Sequence, residues 1–272
     1  MRRLTSFACD GAELGGSLDS AGGAQSGAAG LLFVTGGTQT RVGSHRLFER
    51  LAATLAEAGT PCFRFDRRGV GDSDGADPGW RDSGADIAAA AAAFRTELPG
   101  LGRMFGIGLC DGASALALHG ARCGLAGLVL VNPWLVEAEA GEPPAAAVRD
   151  HYRKRLTSVA GWKKILTGSV SYSKFLKGLR RIVAPPPAAL SGQIAAAIMA
   201  GRLPVRMVLA SGDATAIAAE AEYRSERFAA VRAVAPAPIL IDSDSHTFAR
   251  SGDFDALRTA CLAALESLSG DH

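Results

Sequence analysis

Residues 103–115 read Arg-Met-Phe-Gly-Ile-Gly-Leu-Cys-Asp-Gly-Ala-Ser-Ala, and they contain the clearest indication of the fold. Its first half predicts a buried strand over 103–109, and its second half opens a helix predicted over 111–123. Between them, residues 108–112 form a Gly-x-nucleophile-x-Gly pattern with Cys110 as the nucleophile. So tight a turn needs glycines on both sides, because side chains there would clash. A purely structural cysteine in the same turn is the alternative.

Strands and helices alternate on both sides of this turn. The runs predicted as core strands are 30–35, 61–66, 103–109, 125–132, 205–211 and 238–242, preceded by two short strands within 2–19 that turn at Asp10-Gly11. The predicted helices are 44–58, 81–98, 111–123, 215–230 and 254–268. This alternation predicts an α/β fold with a mainly parallel central sheet flanked by helices.

The alternation breaks once, between residues 132 and 205. That segment contains helix-like pieces, one of them over 188–200, and the run Pro185-Pro186-Pro187. We therefore predict a core formed by 1–136 and 203–272, with a helical cap over 137–202 at the carboxyl edge of the sheet.

The composition excludes several classes of protein. With 272 residues, 48% hydrophobic and 21% charged, the chain can bury a large core. A net charge of +2 gives no reason to expect nucleic-acid binding. The five cysteines lack metal-like spacing, so we predict no metal and no cofactor. No stretch reads as a signal peptide or a membrane span, and free thiols suit a reducing compartment, so we predict a cytoplasmic protein.

Two later residues complete a candidate catalytic triad. Asp213 follows the strand over 205–211, and His246 follows the strand over 238–242. Both lie where an open α/β sheet binds its ligands. A histidine can take the proton of the thiol, and a carboxylate can fix the tautomer of that histidine. Asp242 and Asp244 are rival acids, and a helix cap for Asp213 or a loop contact for His246 is the structural alternative.

The loop after the first core strand is the candidate oxyanion hole. It reads Gly36-Gly37-Thr38-Gln39. We predict that the backbone N–H of Asp111 and that of Thr38 stabilise the oxyanion, with Gln39 as the alternative to Thr38. A plain Gly-Gly turn is compatible with either role. The loop over 66–73 lacks the lysine of a phosphate-binding loop, so we predict a structural role for it.

The predicted cap is strongly basic. Ten of the 29 basic residues and none of the 27 acidic ones lie within 151–202. Such a surface can attract an anionic substrate, such as an acyl-carrier phosphopantetheine, a coenzyme A thioester or a lipid-linked sugar phosphate. It can also dock on an anionic inner-membrane surface, or be only a solvated helix face.

Five motifs together resemble one known group of enzymes. They are GGTQTRVGSHR (36–46), FRFDRRGVGDSDG (63–75), GLCDGAS (108–114), SGDATA (211–216) and SHTF (245–248). The set is similar to that of the type 1 exosortase A system-associated hydrolases of the α/β-hydrolase superfamily, found beside exopolysaccharide and PEP-CTERM sorting genes in Gram-negative bacteria. The resemblance implies an α/β-hydrolase fold with Cys110 as nucleophile, Asp213 as acid and His246 as base. It implies no particular substrate.

The residues themselves predict a cysteine hydrolase or acyltransferase that acts on an ester or thioester through an acyl-enzyme. A non-catalytic scaffold that binds a partner is the alternative.

Overall fold

A computed structural model describes residues 1–21, 27–137 and 189–270, and a single eight-stranded sheet organises them. The strands are β1 (Arg2–Cys9), β2 (Ala12–Asp19), β3 (Gly30–Val34), β4 (Cys62–Phe65), β5 (Met104–Leu109), β6 (Gly127–Val131), β7 (Val205–Ala210) and β8 (Ile239–Ile241). Their order in the sheet is β1-β2-β4-β3-β5-β6-β7-β8. β2 pairs antiparallel with β1 and β4, and all other pairs are parallel, which confirms the predicted mainly parallel α/β sheet.

The helices in the described residues cover both faces of the sheet. They are α1 (Leu47–Glu57), α2 (Gly84–Glu97), α3 (Asp111–His119), α4 (Ala189–Gly201), α5 (Ala214–Tyr223), α6 (Ala229–Val234) and α7 (Asp253–Gly270). On β3, Phe33 packs edge-on against Phe48 of α1, with ring centroids 5.1 Å apart. Gly30 points to the opposite face, where an added Cβ would lie 2.8 Å from the Phe94 ring of α2. Covering both faces buries β3, β5 and β6 completely, which explains their continuous apolar sequences.

Two predicted helices differ from the observed ones. The helix predicted from residue 44 begins at Leu47, because His45 and Arg46 have left-handed φ angles of 52° and 59°. The helix predicted over 215–230 is broken into α5 and α6. The guanidinium of Arg232 donates to the backbone oxygens of Tyr223 and Ser225, so it satisfies carbonyl groups that the break leaves without helical partners.

The helix predicted over 188–200 is α4, and it belongs to the helical layer of the core. Leu190, Ile194 and Ile198 are buried within the main hydrophobic cluster, and α4 packs against α3. The cap over 137–202 stays a prediction, because most of that segment lies outside the described residues.

The loop that follows β4 has the structural role predicted for it. Asp66 is fully buried and accepts hydrogen bonds from the backbone N–H groups of Arg41 and Asp72. Gly71 has a φ of 59°, and a Cβ there would lie 2.4 Å from Oδ2 of Asp66. Only glycine fits this conformation and this contact.

None of the helices that the structure describes combines the length and the apolar character needed to span a bilayer.

Candidate active site

The nucleophile elbow lies between β5 and α3. Cys110 has φ 59° and ψ −126°, a strained conformation for a residue with a side chain. A Cβ at Gly108 would lie 2.6 Å from the backbone nitrogen of Ala113, and one at Gly112 would lie 2.5 Å from the carbonyl oxygen of Val34. Both glycines of the sequence pattern are therefore required by close backbone contacts.

Backbone hydrogen bonds hold the elbow in this strained conformation. The N–H of Cys110 donates to the carbonyl of Val131 at 3.0 Å, which extends the pairing of β5 with β6. The carbonyl of Cys110 accepts from Ala113 at 3.1 Å and from Trp134 at 3.1 Å. With its backbone fixed in this way, Cys110 remains partly exposed and sits at the N-terminal end of α3.

The other four cysteines have different surroundings. Burial raises the pKa of Cys9 and of Cys123 to about 11 and that of Cys261 to about 12. Burial also raises the pKa of Cys62 well above its usual value. Each of these thiols therefore stays protonated and unreactive at neutral pH.

The structure brings Asp213 and His246 together. Nδ1 of His246 lies 3.0 Å from Oδ2 of Asp213, and the Asp213 side chain is only 9% exposed. A hydrogen bond to Asp213 and a second one to Cys110 raise the pKa of His246 to about 10. Nε2 is the nitrogen left to face the thiol, so the imidazole connects the carboxylate to the nucleophile in the order that a triad requires.

Asp213 is also the N-cap of α5. Its Oδ2 accepts a hydrogen bond of 2.9 Å from the backbone N–H of Ala216. The helix-cap alternative and the triad contact thus hold at the same time, because one carboxylate oxygen serves both.

The two rival acids are exposed. Asp244 pairs with Arg250 at 3.0 Å, and its side chain is 73% exposed. Asp242 is exposed as well. Within the described residues, the carboxylate that is hydrogen-bonded to the ring of His246 is that of Asp213 and not that of either rival.

The loop after β3 faces the elbow. A Cβ at Gly36 would lie 3.1 Å from Cβ of Cys110, so the loop passes directly over the nucleophile. The N–H of Gln39 is used within the loop, where it donates to the carbonyl of Gly36 at 3.2 Å, and its side-chain oxygen accepts from Ser44. The N–H of Thr38 has no acceptor within the described residues, and the N–H of Asp111 is in the first turn of α3, where helices leave donors unpaired. Thr38 therefore stays the predicted second donor, because its N–H is still available and that of Gln39 is not.

Asn132 is a site residue that the sequence analysis missed. It follows β6, is fully buried and has a left-handed φ of 42°. Its Nδ2 donates to the carbonyl of His246 at 3.0 Å, and its Oδ1 accepts from the N–H of Ala210 at 2.8 Å. Asn132 thus ties the histidine loop to the ends of β6 and β7. The only local indication was an asparagine before a proline at a strand end, which is also typical of ordinary turns.

No group of three or more His, Cys, Asp or Glu side chains within the described residues could hold a metal ion.

An elbow residue after a central strand, with an aspartate and a histidine at the carboxyl edge of this eight-stranded sheet, is the arrangement of the α/β hydrolases, in which the elbow residue is usually serine. The chain belongs to the family described as "Serine aminopeptidase, S33", whose model matches residues 31–224. That family is named for serine, whereas this chain has Cys110 at the elbow. A search of curated proteins found no match.

Solved structures of hydrolases share the fold. An esterase of Pyrococcus furiosus superposes with a TM-score of 0.66 at 16% identity, covering 99% of this chain and 91% of the esterase. Est1E of Butyrivibrio proteoclasticus, solved with ferulic acid, has a TM-score of 0.60 at 17% identity, with 96% and 99% covered. A Xanthomonas campestris α/β serine hydrolase without a lid has a TM-score of 0.58 at 15% identity, with 98% and 94% covered. At these identities the likeness establishes the fold and not the substrate.

Proposed function

We propose that this protein hydrolyses an ester or a thioester through an acyl-enzyme formed on Cys110. The observation that carries the proposal is the imidazole of His246, which is hydrogen-bonded to Asp213 on one side and to Cys110 on the other. Its pKa of about 10 keeps the imidazole protonated at neutral pH, which favours a thiolate beside it.

In the first half-reaction, the sulfur of Cys110 attacks the carbonyl carbon of the substrate. The carbonyl electron pair moves onto oxygen, where the N–H groups of Asp111 and Thr38 stabilise the negative charge. The tetrahedral intermediate then collapses, the bond to the leaving alcohol or thiol breaks, and that group takes the proton from His246. An acyl group remains on Cys110 as a thioester.

In the second half-reaction, His246 removes a proton from water as the water attacks the thioester. A second tetrahedral intermediate forms and expels the sulfur of Cys110, which releases a carboxylic acid and restores the resting pair. An acyltransferase would follow the same steps with another acceptor in place of water.

We further propose that the protein is one of the exosortase-associated hydrolases linked to exopolysaccharide systems, and that it acts in the cytoplasm. The support is the motif set around residues 36–46, 63–75, 108–114, 211–216 and 245–248, together with five cysteines that are all free thiols.

Alkylation by iodoacetamide tests the nucleophile. We expect Cys110 to react much faster than the other four cysteines at neutral pH, and the reaction to slow in His246→Ala. Cys123 is the matched control, because it is also partly exposed but has its pKa raised by burial. In the unsubstituted protein, the Cys110 rate should change as pH rises through the pKa of His246 near 10, where the imidazole loses its proton.

The same samples separate the proposed function from its alternatives. Intact mass after brief exposure to p-nitrophenyl acetate should show one acetyl group, which is lost in Cys110→Ala. Decay of the adduct in water indicates a hydrolase, and decay only with an added alcohol or amine indicates an acyltransferase. Equal alkylation of all five cysteines would refute a catalytic Cys110 and leave the scaffold reading.

A further inference from the structure

Gly37 lies between two peptide groups that are each held by a charged side chain. The N–H of Gly37 donates to Oδ1 of Asp111 at 2.6 Å. The carbonyl of Gly37 accepts from Nη2 of Arg67, also at 2.6 Å. Both are hydrogen bonds to ionised groups, which are stronger than those between neutral groups.

The second of these peptide groups contains the proposed oxyanion donor. The carbonyl of Gly37 and the N–H of Thr38 belong to one planar unit, and in a trans peptide they point in opposite directions. A guanidinium bound to the oxygen therefore fixes the direction of the N–H. It also polarises the unit, which makes that N–H a better donor.

The other hydrogen bonds of this loop leave the direction of the Gly37–Thr38 peptide open. The bond from the N–H of Gln39 to the carbonyl of Gly36 closes a turn around this peptide but uses neither its carbonyl nor its N–H. Gly37 has a φ of 57° and no neighbouring atom within 4 Å of where a Cβ would be. Glycine populates positive and negative φ with similar ease, so the Gly37–Thr38 peptide can rotate. A rotated peptide would direct a carbonyl oxygen, rather than an N–H, toward the developing oxyanion.

The burial of Arg67 is unfavourable for stability, which is unexpected for a residue whose only role is to stabilise the fold. Its side chain is 5% exposed, and its Nε has no hydrogen-bond partner within the described residues. Its carboxylate contact, Asp77, lies at 3.3 Å and is itself 30% exposed. A buried guanidinium with an unpaired N–H lowers stability. Its shortest contact is the Gly37 carbonyl.

We propose that Arg67 and Asp111 are positioning residues that clamp the two peptides of Gly37 and so aim the Thr38 N–H at the oxyanion. Asp111 then contributes twice, through its own N–H in the hole and through its carboxylate on the opposite wall. Gly36 must be glycine for the same reason, since a Cβ there would lie 2.7 Å from Oδ1 of Asp111. This inference rests on the acyl-enzyme reaction proposed above.

Two reactions of the same thiol test the clamp. Ester hydrolysis develops an oxyanion, whereas alkylation by iodoacetamide displaces iodide and develops none. We expect Arg67→Met to lower kcat for p-nitrophenyl acetate by about 10- to 100-fold with KM little changed, because one donor is misdirected. The alkylation rate of Cys110 should be unchanged. Asp111→Ala should behave in the same way, and Asp111→Asn should recover much of the loss because its amide oxygen can still accept from Gly37.

Arg103→Met is the matched control for the loss of an arginine. Arg103 also donates to one backbone carbonyl, that of Ser269 at 2.8 Å, but lies at the opposite end of β5. We expect Arg103→Met to leave kcat unchanged, and circular dichroism with Tm to show that all variants are folded.

The outcomes are distinguishable. If the unsubstituted enzyme hydrolyses the ester and Arg67→Met keeps its kcat, or if hydrolysis and alkylation fall together, the clamp is wrong while the proposed function stands. If all five cysteines of the unsubstituted protein react alike and no ester is cleaved, the proposed function fails and the clamp fails with it.

Discussion

Two clusters of ionisable side chains in this molecule differ in how exposed they are and in the backbone that carries them. The first, here called the amino-terminal cluster, joins Arg64 to Asp19 at 2.8 Å and Arg2 to Asp19 at 2.7 Å, with Arg41 bound to Asp66 nearby. The second, here called the triad cluster, consists of Cys110, Asp213 and His246. In the amino-terminal cluster, each of these arginines contacts a carboxylate, and Asp19 serves both Arg2 and Arg64. The triad cluster is partly open, with the His246 side chain 32% exposed and Cys110 strained.

The pKa values of ionisable groups in the two regions are also shifted in opposite directions. Beside the amino-terminal cluster, hydrogen bonds from Arg46 and Arg2 lower the pKa of Glu49 to about 2. In the triad cluster, hydrogen bonds to Asp213 and Cys110 raise the pKa of His246 to about 10. Both shifts keep a group charged at neutral pH. The first charge is paired with two arginines, whereas the second lies beside the partly exposed thiol of Cys110. The difference is the one expected between a cluster that stabilises a fold and a cluster proposed to perform chemistry.

The largest effect is expected from the acid of the triad cluster. Asp213→Asn should lower kcat by about 10²- to 10⁴-fold, because the amide favours the wrong tautomer of His246. The fold should be retained, since asparagine also caps helices well and α5 begins at this position. Steady-state hydrolysis of p-nitrophenyl acetate and a thermal melt measure the two properties.

Asp242→Asn is the matched control, because Asp242 follows the same strand as His246 but is exposed. Its effect on kcat should be small. A large loss in Asp242→Asn with activity retained in Asp213→Asn would transfer the role of the acid to Asp242.

The amino-terminal cluster should respond in stability rather than in activity. Asp19→Ala leaves the guanidinium of Arg64, which is 2% exposed, buried without its carboxylate. We expect a loss of about 3–5 kcal/mol in the free energy of unfolding. At a temperature low enough for the variant to stay folded, kcat should be unchanged. Urea unfolding gives the first quantity.

Asp244→Ala provides the comparison for an exposed pair. Asp244 and Arg250 are 73% and 56% exposed, so breaking their contact should change the free energy of unfolding far less than Asp19→Ala does. Equal losses in the two variants would mean that burial does not distinguish the amino-terminal cluster from a surface ion pair.

The sequence predicted the backbone of the triad cluster better than its surroundings. The strand before the elbow and the two elbow glycines are local patterns. Cys110, Asp213 and His246 each follow a strand of the sheet, in the chain order that the sequence analysis expected. Asn132 and Arg67 were missed because their roles depend on contacts with residues far along the chain, the His246 carbonyl for one and the Gly37 carbonyl for the other. A single sequence does not encode such pairings in any local spacing.

Helix boundaries failed for a related reason. The residues between α5 and α6 have ordinary helix propensity, and the break accompanies a tertiary contact, the Arg232 side chain on the carbonyls of Tyr223 and Ser225. Propensity and periodicity report the average preference of a segment, and a single side chain from the next helix can override it.

The smallest effect concerns a third charged region, the basic residues within 151–202, of which only Arg202 is within the described residues. The rest of the chain holds 19 basic and 27 acidic residues, so a basic cap would carry charge opposite to that of the body. The amino-terminal and triad clusters each combine acidic and basic side chains. This region instead has ten basic residues and no acidic residue in its own sequence. We propose that it attracts an anionic thioester, or alternatively an anionic inner-membrane surface.

Charge reversal tests this proposal on the quadruple variant Lys163→Glu, Lys164→Glu, Lys174→Glu and Lys177→Glu. We expect KM for an acyl-coenzyme A thioester to rise by about three- to tenfold, since four charge pairs near the lower limit of the usual range of about 0.2–1 kcal/mol each sum to about 1 kcal/mol. Hydrolysis of the neutral p-nitrophenyl acetate should not change, and added salt should reduce the difference because such attraction is screened over about 8–10 Å. Arg95→Glu with Arg122→Glu, two exposed arginines of the body, is the net-charge control for the double variant Lys163→Glu with Lys164→Glu, because both carry two reversals. If membrane docking is the role instead, the reversal abolishes binding to phosphatidylglycerol vesicles and leaves KM alone. If neither quantity responds to the reversal or to salt, the basic segment is a solvated surface, and the chemistry of the protein is confined to the carboxyl edge of the sheet.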